Sequence, residues 1–394
     1  MLITIVTETY APDINGVAMT LGNLISGLSN LGHQVQLICP DNKERDLSQL
    51  PKNVSYHPVR GLPIPGYREA KFGLPSKSLL NKLWRSHIPD VIYIATEGPL
   101  GWQASKIANK LGIATLSGFH TNFHSYSNHY GIGLLEKVVS RYLVALHNKT
   151  GATLTPTLGQ KKIIEKMGIK NVSVLGRGVD TQLFSPEKRN IQLRNSWGIT
   201  NNEDPVILYV GRIAAEKNIS QAIRTYNAMH KINYRIKFVL VGDGPLFNKL
   251  KQENPDFIFA GMQSGEKLAQ YYASSDIFIF PSMTETFGNV ILEAMASGLG
   301  VIAYNYAAAN THIKHNENGQ VARFDDAQNF TENACRYLNN ALLLKKLRMN
   351  ASRYASGQSW AEIVRQFESL LMNQSIKNLL HTDLENNAAH SSNY

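Results

Sequence analysis

At 394 residues the chain is long enough for two domains, and with 43% hydrophobic and 18% charged residues its composition excludes a disordered chain. Forty basic residues against 30 acidic ones give a net charge of +10, which indicates an anionic partner such as nucleic acid, anionic lipid or a phosphorylated substrate. The two cysteines form no CxxC pair, and no apolar stretch approaches the ~18 residues of a membrane-spanning helix, so we expect a cytoplasmic protein.

The first half of the chain alternates short apolar strands with helical patterns. It begins with a strand at Leu2–Val6, where a signal peptide would otherwise stand, and a helix over Gly16–Leu31. Further strands are predicted at Val35–Cys39, Val91–Ala95, Ile113–Leu116, Ala152–Thr155 and Val172–Leu175, with helices over Leu100–Leu111 and Leu158–Met167. This alternation indicates βαβ units and therefore a parallel sheet.

The polar segment 180–202 interrupts the alternation, and a second series begins after it. Strands are predicted at Val206–Val210, Phe238–Val241, Phe257–Ala260, Ile277–Phe280 and Val301–Tyr304, with helices over Ser220–Met229 and Leu246–Gln252. Two separate series predict an α/β protein with two Rossmann-like, doubly wound domains, residues 1–183 and 184–358, whose central cleft faces the carboxyl ends of both sheets. An amphipathic helix is predicted within 359–380, and the polar tail 381–394 is expected to be disordered.

The stretch 280–298 contains the strongest indication of a binding site. A polar loop behind a buried strand carries Glu285, and a helix opens near Asn289, a residue type that caps helices, and closes at Gly298. The N–H groups at a helix start have no intrahelical partners and suit a phosphate. Glu293 lies about one turn into this helix, so the two glutamates could bind hydroxyl groups on either side of a diphosphate. The stretch therefore predicts a nucleotide-sugar site.

Two further loops follow the first strand of each series. The strand Val206–Val210 runs into a loop in which Arg212 and Lys217 could neutralise a diphosphate, although loop cations are often only solvated. In the first half, Asn15 and Gly16 stand just before a helix, where backbone donors could approach an anion, or where the chain makes an ordinary turn. Neither loop carries a GxGxxG dinucleotide fingerprint or a P-loop lysine.

His120 is the histidine that the pattern places at a strand's carboxyl end, where it could bind a sugar hydroxyl or a phosphate or act as an acid or base. For His124, His129 and His147 we expect packing or surface roles. Glu97 follows another strand in the same way and could bind an acceptor or cap the helix behind it. No HExxH, paired CxxC or Asp-x-Asp pattern occurs, so we predict a site without metal or other cofactor.

The stretch 60–87 has six lysines and arginines against one acidic residue, interleaved with aromatic and aliphatic side chains. Such a mixture suits the surface of an anionic membrane, and it is also what a solvated helix face with core leucines would show. No helix-turn-helix, RNP-like or zinc pattern accompanies these charges, so we expect no nucleic-acid partner. A peripheral position on the inner face of the cytoplasmic membrane is therefore one expectation.

Together these motifs resemble those of retaining GT-B glycosyltransferases of family 4, from Ile3 to about Trp360. The most specific element is Glu285-x7-Glu293, within Pro281-Ser-x-x-Glu-x-Phe-Gly-Asn-Val-x-x-Glu-Ala-Met-Ala-Ser-Gly. It is supported by Gly211-Arg212…Glu216-Lys217, Gly242-Asp-Gly-Pro, Gly176-Arg-Gly-Val-Asp180 and Tyr10-Ala-Pro-x-x-Asn-Gly-Val17. Phe119-His-Thr-Asn-Phe123 and Thr96-Glu-Gly-Pro-Leu100 resemble a subgroup with bacterial mannosyltransferases and sulfoquinovosyl-type glycolipid enzymes. Gly300 replaces a usual proline and Asn15 a common second glycine, which leaves loop shape open.

The resemblance implies a role for each matching position. The donor would be bound by Gly16, Arg212, Lys217, Glu285, Phe287, Gly288, Asn289, Val290 and Glu293, with Glu293 on the ribose and Glu285 on the transferred sugar. His120, Glu285, Arg212 and Lys217 would form the catalytic set, and Tyr10, Asn15 and Glu97 are acceptor-side candidates. The reaction would retain anomeric configuration, and the C-terminal helix would cross back onto the first domain.

The implied function is transfer of a hexosyl group, with mannose from GDP-mannose favoured over a UDP-sugar donor, to a lipid-linked or glycan acceptor. Two alternatives stay open at this point: a nucleotide-sugar epimerase of the same fold, and a non-catalytic nucleotide-sugar-binding protein. The epimerase would need no acceptor, and the binding protein would show no turnover with any donor.

Overall fold

The computed structural model describes residues 1–13, 15–64, 67–120, 133–201, 204–285 and 288–391. The chain divides into two compact units. The first unit comprises Met1–Arg177 together with Trp360–Tyr394, and the second comprises Gly178–Ser359. Each contains a parallel sheet with helices, which confirms the α/β class and the two Rossmann-like domains.

The first unit is built on a seven-stranded parallel sheet in the order β3-β2-β1-β6-β7-β8-β9. Its strands are β1 (Leu2–Val6), β2 (Gln34–Pro40), β3 (Val54–Val59), β6 (Val91–Ile94), β7 (Thr115–Gly118), β8 (Ala152–Thr155) and β9 (Val172–Val174). Its helices are α1 (Gly16–Asn30), α2 (Lys77–Ser86), α3 (Pro99–Lys110), α4 (Gly133–His147) and α5 (Leu158–Lys166). The central strands are buried along nearly their whole length because helices cover both faces of the sheet.

An antiparallel hairpin, β4 (Gly61–Ile64) and β5 (Tyr67–Gly73), precedes α2. This hairpin and α2 make up most of the basic stretch 60–87. Leu80 and Trp84 of α2 are fully buried in a core cluster, whereas Lys77, Lys82 and Arg85 are exposed. The apolar residues of α2 are therefore core, and its cations face solvent.

The second unit is built on a six-stranded parallel sheet in the order β12-β11-β10-β13-β14-β15. Its strands are β10 (Val206–Val210), β11 (Lys237–Val241), β12 (Ile258–Gly261), β13 (Ile277–Phe280), β14 (Gly300–Tyr304) and β15 (Gln320–Ala322). Its helices are α6 (Ile191–Ser196), α7 (Ile219–Ile232), α8 (Phe247–Glu253), α9 (Gly265–Ala273), α10 (Asn289–Ala296), α11 (Ala307–His312), α12 (Ala327–Asn339) and α13 (Ala341–Ser356).

Both sheets reverse their strand order at the first strand. In the first unit β2 and β3 lie on one side of β1 and β6 lies on the other, and in the second β11 and β12 lie on one side of β10 and β13 on the other. In open α/β sheets, ligands bind at such a topological switch point, outside the carboxyl ends of the two strands concerned. The topology therefore directs attention to the loops after β1 and β6, and to those after β10 and β13.

The boundary between the units differs from the prediction of residue 183. The first unit ends at Arg177 because the next residues join the second. Val179 forms a bridge with Ser359, Asp180 caps the backbone of the following turn, and Phe184 is buried in the second unit's core. The polar appearance of this segment hid those contacts.

The C-terminal helix α14 (Trp360–Ser391) belongs to the first unit and packs on α1 and the sheet. Ile363, Val364, Phe367 and Leu371 are buried in that unit's core, and a Cβ on Gly27 of α1 would lie 2.3 Å from a Val364 methyl group. The expected disorder of 381–394 is wrong for residues 381–391, which continue the helix. That stretch is polar but contains neither glycine nor proline, so nothing in it terminates a helix.

Candidate active site

The loops after β10 and β13 meet at the switch point of the second unit. Lys217 Nζ donates to Glu285 Oε1 at 2.6 Å and to the Thr284 carbonyl at 3.2 Å. Thr284 Oγ1 in turn donates to the Glu216 carbonyl at 3.0 Å. Backbone and side-chain hydrogen bonds thus join the two loops, and Lys217 and Glu285, two of the residues predicted to bind the donor, form an ion pair.

Glu285 is held from two sides before any ligand binds. Ser282, which is buried, donates its hydroxyl to Glu285 Oε1 at 2.7 Å, on the same oxygen that Lys217 contacts. The Lys217 and Glu285 side chains are 20% and 16% exposed, so the pair is partly shielded yet reachable. A carboxylate fixed in this way can accept hydrogen bonds from sugar hydroxyls without much loss of side-chain entropy.

Arg212 lies in the same loop but is much less constrained. Its side chain is 65% exposed, and its guanidinium contacts Glu216 at 3.3 Å, four residues along the chain. An exposed pair of this kind contributes little to stability. Arg212 is therefore available to bind an anion, because giving up the Glu216 contact costs little.

Two glycines let the loop after β11 pack closely against the Arg212 loop. A Cβ on Gly242 would lie 2.0 Å from the Gly211 carbonyl oxygen, and one on Gly244 would lie 2.4 Å from the Ile213 carbonyl oxygen. The close approach allows Ile213 to donate its N–H to the Asp243 carbonyl at 2.9 Å. The Gly242-Asp-Gly-Pro motif thus supports the backbone of the Arg212 loop.

Helix α10 begins beside Glu285, but one residue differs from the prediction. The residue that caps the helix is Gly288, in the left-handed conformation with φ +91°, and Asn289 is the first helical residue. Glycine is suited to that φ, whereas the predicted Asn289 cap is wrong. The helix ends with Gly298 at φ +75°, as expected of a glycine that follows a helix. The Asn289 and Val290 N–H groups thus stand in the first turn, where intrahelical acceptors are lacking. Phe287 lies outside the described residues.

Glu293 of α10 is partly buried, and its carboxylate has a fixed orientation. Tyr272 of α9 donates its hydroxyl to Glu293 Oε2 at 2.9 Å. Burial raises the pKa of Glu293 from 4.5 to about 7, even though the Tyr272 hydrogen bond opposes that shift. Sequence reasoning missed Tyr272 because a tyrosine in an apolar helix face looks like a core residue.

In the first unit, His120 lies at the end of β7 beside two residues that the sequence did not single out. Its Nε2 lies 3.0 Å from the Tyr93 hydroxyl, and burial and the Arg177 charge lower its pKa to about 3. Arg177 is buried and donates Nη1 to the Gly16 carbonyl at 2.9 Å, which links the predicted Gly16 loop to this group. His120 is therefore a neutral imidazole, and Arg177 is the cation close to it. The Gly176-Arg-Gly motif was the available signal for Arg177.

The other predicted histidines and acceptor-side residues have separate environments. His147 is fully buried in a polar network, with its Nδ1 2.8 Å from Ser117 Oγ, as a packing role requires. His124 and His129 lie outside the described residues. Asn15 is the N-cap of α1, accepting from Val17 and Ala18, and its amide donates to Thr9. Tyr10 is buried in the core of the unit. Both side chains thus have structural partners.

Glu97 does not cap the helix behind it. Its side chain is 13% exposed and lies 3.8 Å from His147 Nε2, while its carbonyl accepts from the Tyr142 hydroxyl at 2.7 Å. The N-terminal cap of α3 comes instead from Glu8, whose carboxylate accepts from the Leu100 N–H at 3.1 Å. Sequence reasoning missed Glu8, since a glutamate after a first strand carries no motif of its own.

Two surveys cover only the part of the chain that the structure describes. In it, no group of three His, Cys, Asp or Glu side chains is arranged to hold a metal ion. Within the same residues, no helix is both long and apolar enough to cross a membrane.

Comparison with known proteins assigns both units. Residues 14–183 match the family model described as Glycosyltransferase Family 4, and residues 192–358 match Glycosyl transferases group 1. The chain is 29% identical over 360 residues to a GDP-mannose-dependent alpha-mannosyltransferase of Mycobacterium tuberculosis, covering 91% of this chain and 93% of that one. It is 31% identical to a protein of the same name from Mycolicibacterium smegmatis, covering 77% of this chain and 79% of that one.

Other similarities extend to glycolipid enzymes and to solved structures. An alpha-monoglucosyldiacylglycerol synthase of Streptococcus pneumoniae is 29% identical, covering 79% of this chain and 73% of that one. The Anabaena protein HepE, solved in complex with UDP, superposes with a TM-score of 0.73 at 20% identity, covering 95% of this chain and 100% of that one, and supports the fold alone. Two matched family models, the mycobacterial relatives and the site geometry agree: the chain belongs to glycosyltransferase family 4 and is a glycosyltransferase with the GT-B fold.

Proposed function

We propose that this glycosyltransferase moves a hexosyl group, with mannose from GDP-mannose favoured, to a lipid-linked or glycan acceptor with retention of anomeric configuration. The observation that carries the donor assignment is the Lys217–Glu285 pair at a switch point, beside the start of α10. This pair places a cation for the diphosphate next to a carboxylate for the sugar hydroxyls, in one short contact. The names of the mycobacterial relatives favour GDP-mannose, and that of the pneumococcal relative favours a lipid acceptor.

In this proposal the second unit binds the donor. Arg212 and Lys217 neutralise the diphosphate, and the first N–H groups of α10 add hydrogen bonds to the same oxygens. Glu285 binds hydroxyls of the transferred sugar, and Glu293 binds the ribose. As the glycosidic bond to phosphate breaks, negative charge grows on the leaving diphosphate, and both cations stabilise it without a metal ion.

His120 contributes as a neutral group. A pKa of about 3 leaves its imidazole uncharged at physiological pH, so it offers a hydrogen bond to the transferred sugar instead of a charge. We propose that it contacts that sugar near the reacting carbon. We further propose that the departing phosphate helps to deprotonate the acceptor, as the resemblance to retaining family 4 enzymes implies. That step needs no general base from the protein, which agrees with a histidine this weakly basic.

A peripheral contact with anionic lipid at the inner face of the cytoplasmic membrane is part of the proposal. Its support is the exposed Lys77, Lys82 and Arg85 of α2, together with the exposed apolar side chains Leu62 and Phe72 of the preceding hairpin. Cations near an anionic surface each contribute about 1 kcal/mol to binding. Charge reversal of the three α2 cations should abolish sedimentation with phosphatidylglycerol vesicles. Reversal of Lys231, Lys251 and Lys267, three exposed cations of the second unit, should reduce it much less. Equal loss in both variants would contradict a specific α2 surface.

The donor is tested by calorimetry and thermal shift with GDP, UDP and ADP. A nucleotide present at 100 times its dissociation constant adds about 2.7 kcal/mol to stability, which a melting curve resolves. We expect GDP to stabilise the protein more than UDP or ADP does. Lys217→Met should weaken GDP binding about 10- to 100-fold. Lys231→Met, on exposed α7, is the matched control and should leave affinity unchanged. Equal affinity in wild type and Lys217→Met would refute the donor site.

The reaction is tested with labelled GDP-mannose and phosphatidylglycerol vesicles that carry diacylglycerol or monoglucosyldiacylglycerol. Transfer to lipid, unaffected by EDTA and with an α-linkage in the product, supports the proposal in each part. Release of free sugar or an epimer without acceptor would instead indicate the epimerase. Nucleotide binding with no turnover of any donor would indicate a binding protein.

A further inference from the structure

Glu8 joins two loops at the switch point of the first unit. It lies two residues after β1, and its carboxylate Oε1 accepts the Leu100 N–H at 3.1 Å, at the start of α3. Glu8 therefore holds the loop after β6 against the loop after β1.

Gly98 makes room for this carboxylate. A Cβ on Gly98 would lie 1.9 Å from both Glu8 oxygens. Gly98 has φ −77° and ψ −174°, a backbone conformation open to any residue, so its glycine is explained by the space that Glu8 occupies. A Cβ on Gly73 would similarly lie 2.9 Å from the Leu100 side chain.

The loop 96–100 is fixed at further points. The Glu8 N–H donates to Thr96 Oγ1 at 2.9 Å, and the Tyr142 hydroxyl of α4 donates to the carbonyls of Glu97 at 2.7 Å and Gly98 at 3.3 Å. This loop lies at the carboxyl end of β6, one of the two strands that define the switch point. Its backbone thus has a defined position where a ligand of this unit would bind.

An ordinary helix cap would not require this arrangement. Helix starts are usually capped by a local Ser, Thr, Asp or Asn, whereas Glu8 reaches α3 from 92 residues away. Burying a carboxylate is unfavourable, and here burial raises the pKa of Glu8 from 4.5 to about 7. A fold tends to retain such a cost at a functional site, where position matters more than stability.

We propose that Glu8 is a positioning residue for the acceptor side of the transfer reaction, fixing the loop 96–100 and with it Glu97. This rests on the proposed function, because it assumes that the first unit presents the acceptor. Glu8 touches no reacting atom in this scheme; it acts through the loop.

Protonation should loosen the arrangement. The ionised carboxylate accepts the Leu100 N–H, whereas a protonated one presents a hydroxyl donor on one oxygen and loses an acceptor. Glu97, from the loop after β6, acts on Glu8, and its negative charge favours the protonated form of Glu8. Tyr142 of α4 is uncharged in the assay range, because burial raises its pKa to about 12.

The experiment compares Glu8→Ala, Glu8→Gln, Gly98→Ala and the double variant Glu8→Ala with Gly98→Ala. Transfer from saturating GDP-mannose to monoglucosyldiacylglycerol in phosphatidylglycerol vesicles is measured from pH 5.5 to 8.5, with hydrolysis of GDP-mannose as the second rate. Hydrogen exchange at the Leu100 amide is measured in parallel, and GDP affinity by calorimetry.

We expect Glu8→Ala and Gly98→Ala each to lower acceptor kcat/KM about 10- to 100-fold and to speed hydrogen exchange at the Leu100 amide, with GDP affinity unchanged. Adding Gly98→Ala to Glu8→Ala should have little further effect, because the carboxylate that the new methyl group would strike is gone. In the wild type, kcat/KM should rise as the pH passes through 7, because Glu8 ionises there. Glu8→Gln should have a higher rate than Glu8→Ala but should not show this rise.

Independent, multiplicative effects of the two substitutions would overturn the proposal, as would faster exchange with unchanged acceptor kcat/KM. The second outcome would make Glu8 a structural cap and leave the proposed function standing. Absence of turnover in the wild type with every donor would instead refute the proposed function, and the acceptor role of Glu8 with it.

Discussion

Replacing Glu293 by glutamine should stabilise the protein at high pH while weakening the binding of nucleotide. The carboxyl group is partly buried, and its pKa rises from 4.5 to about 7 on folding. A raised pKa means that the folded state disfavours the ionised form. Its contribution to stability is therefore fully present below pH 4.5 and is lost as the pH rises through 7.

The size of this effect follows from the shift. A difference of about 2.5 pH units at 1.36 kcal/mol per unit gives roughly 3 kcal/mol at pH 8. Glu293 retains some contact with solvent, so we expect about 1 to 2 kcal/mol. Glutamine has nearly the same shape and keeps an oxygen that can accept from the Tyr272 hydroxyl, so the substitution removes charge with little change in packing.

The assay is the melting temperature of wild type and Glu293→Gln from pH 4.5 to 8.5. We expect coincident values near pH 4.5 and a variant that melts about 2 to 6 °C higher at pH 8. Calorimetry with GDP at pH 8 should show about 10- to 100-fold weaker binding, because an amide is a poorer acceptor than a carboxylate for ribose hydroxyls. Glu332→Gln, an exposed residue of α12, controls for the change in net charge.

A stability difference that does not change between pH 4.5 and 8.5 would refute the titration argument. Unchanged GDP affinity would refute the ribose role and leave Glu293 as a buried acid with no part in binding. A variant that is more stable but binds GDP more weakly is what we expect if Glu293 is kept for binding and not for stability.

Three further predictions address the loops and the C-terminal helix. Arg212→Ala should change the free energy of unfolding by no more than about 0.5 kcal/mol in urea denaturation, since its side chain is 65% exposed. The same substitution should clearly weaken GDP binding, as measured by calorimetry. Gly242→Ala should lower the free energy of unfolding by about 3 kcal/mol or more, because φ is +134° and the new methyl group would lie 2.0 Å from a carbonyl oxygen. An unchanged melting temperature would contradict this and show that the loop moves to accommodate the methyl group. Phe367→Ala should cost about 3 to 5 kcal/mol, since the ring is buried and packs edge-on against Tyr93 at 4.9 Å; a smaller loss would mean that α14 is not part of the first unit's core.

Much of the fold follows from short apolar runs. Strands such as Val206–Val210 and Ile277–Phe280 have the predicted bounds because parallel strands covered on both faces are continuously apolar. The edge strand β3 was missed, since Val54–Val59 is only partly buried and contains polar residues and a proline. The boundary at Arg177 was missed for a different reason: a polar segment can belong to a domain through backbone bridges alone.

The donor site was predictable because its residues are close in sequence. Glu285, the start of α10 and Glu293 lie within one segment, so the spacing of residue types carries the geometry. Arg212 and Lys217 come from another strand, but each sheet has only one place where strand order reverses, which brings their loop to the same edge. Tyr272 had no such signal, because its role is set by the one side chain that it meets.

The first unit's edge could not be read in this way. Glu8 and Leu100 are 92 residues apart, and each looks ordinary: a glutamate after a strand, a leucine in a helix. Gly98 stands in a loop, where glycine is ordinary, yet its φ is negative and its backbone conformation does not require glycine. Where the backbone conformation is open to any residue, a glycine is explained when a neighbouring group occupies the space that a Cβ would fill. Here that neighbour is a partly buried carboxylate, so the pair Glu8–Gly98, visible only in three dimensions, is the strongest sign that this edge is built for a ligand.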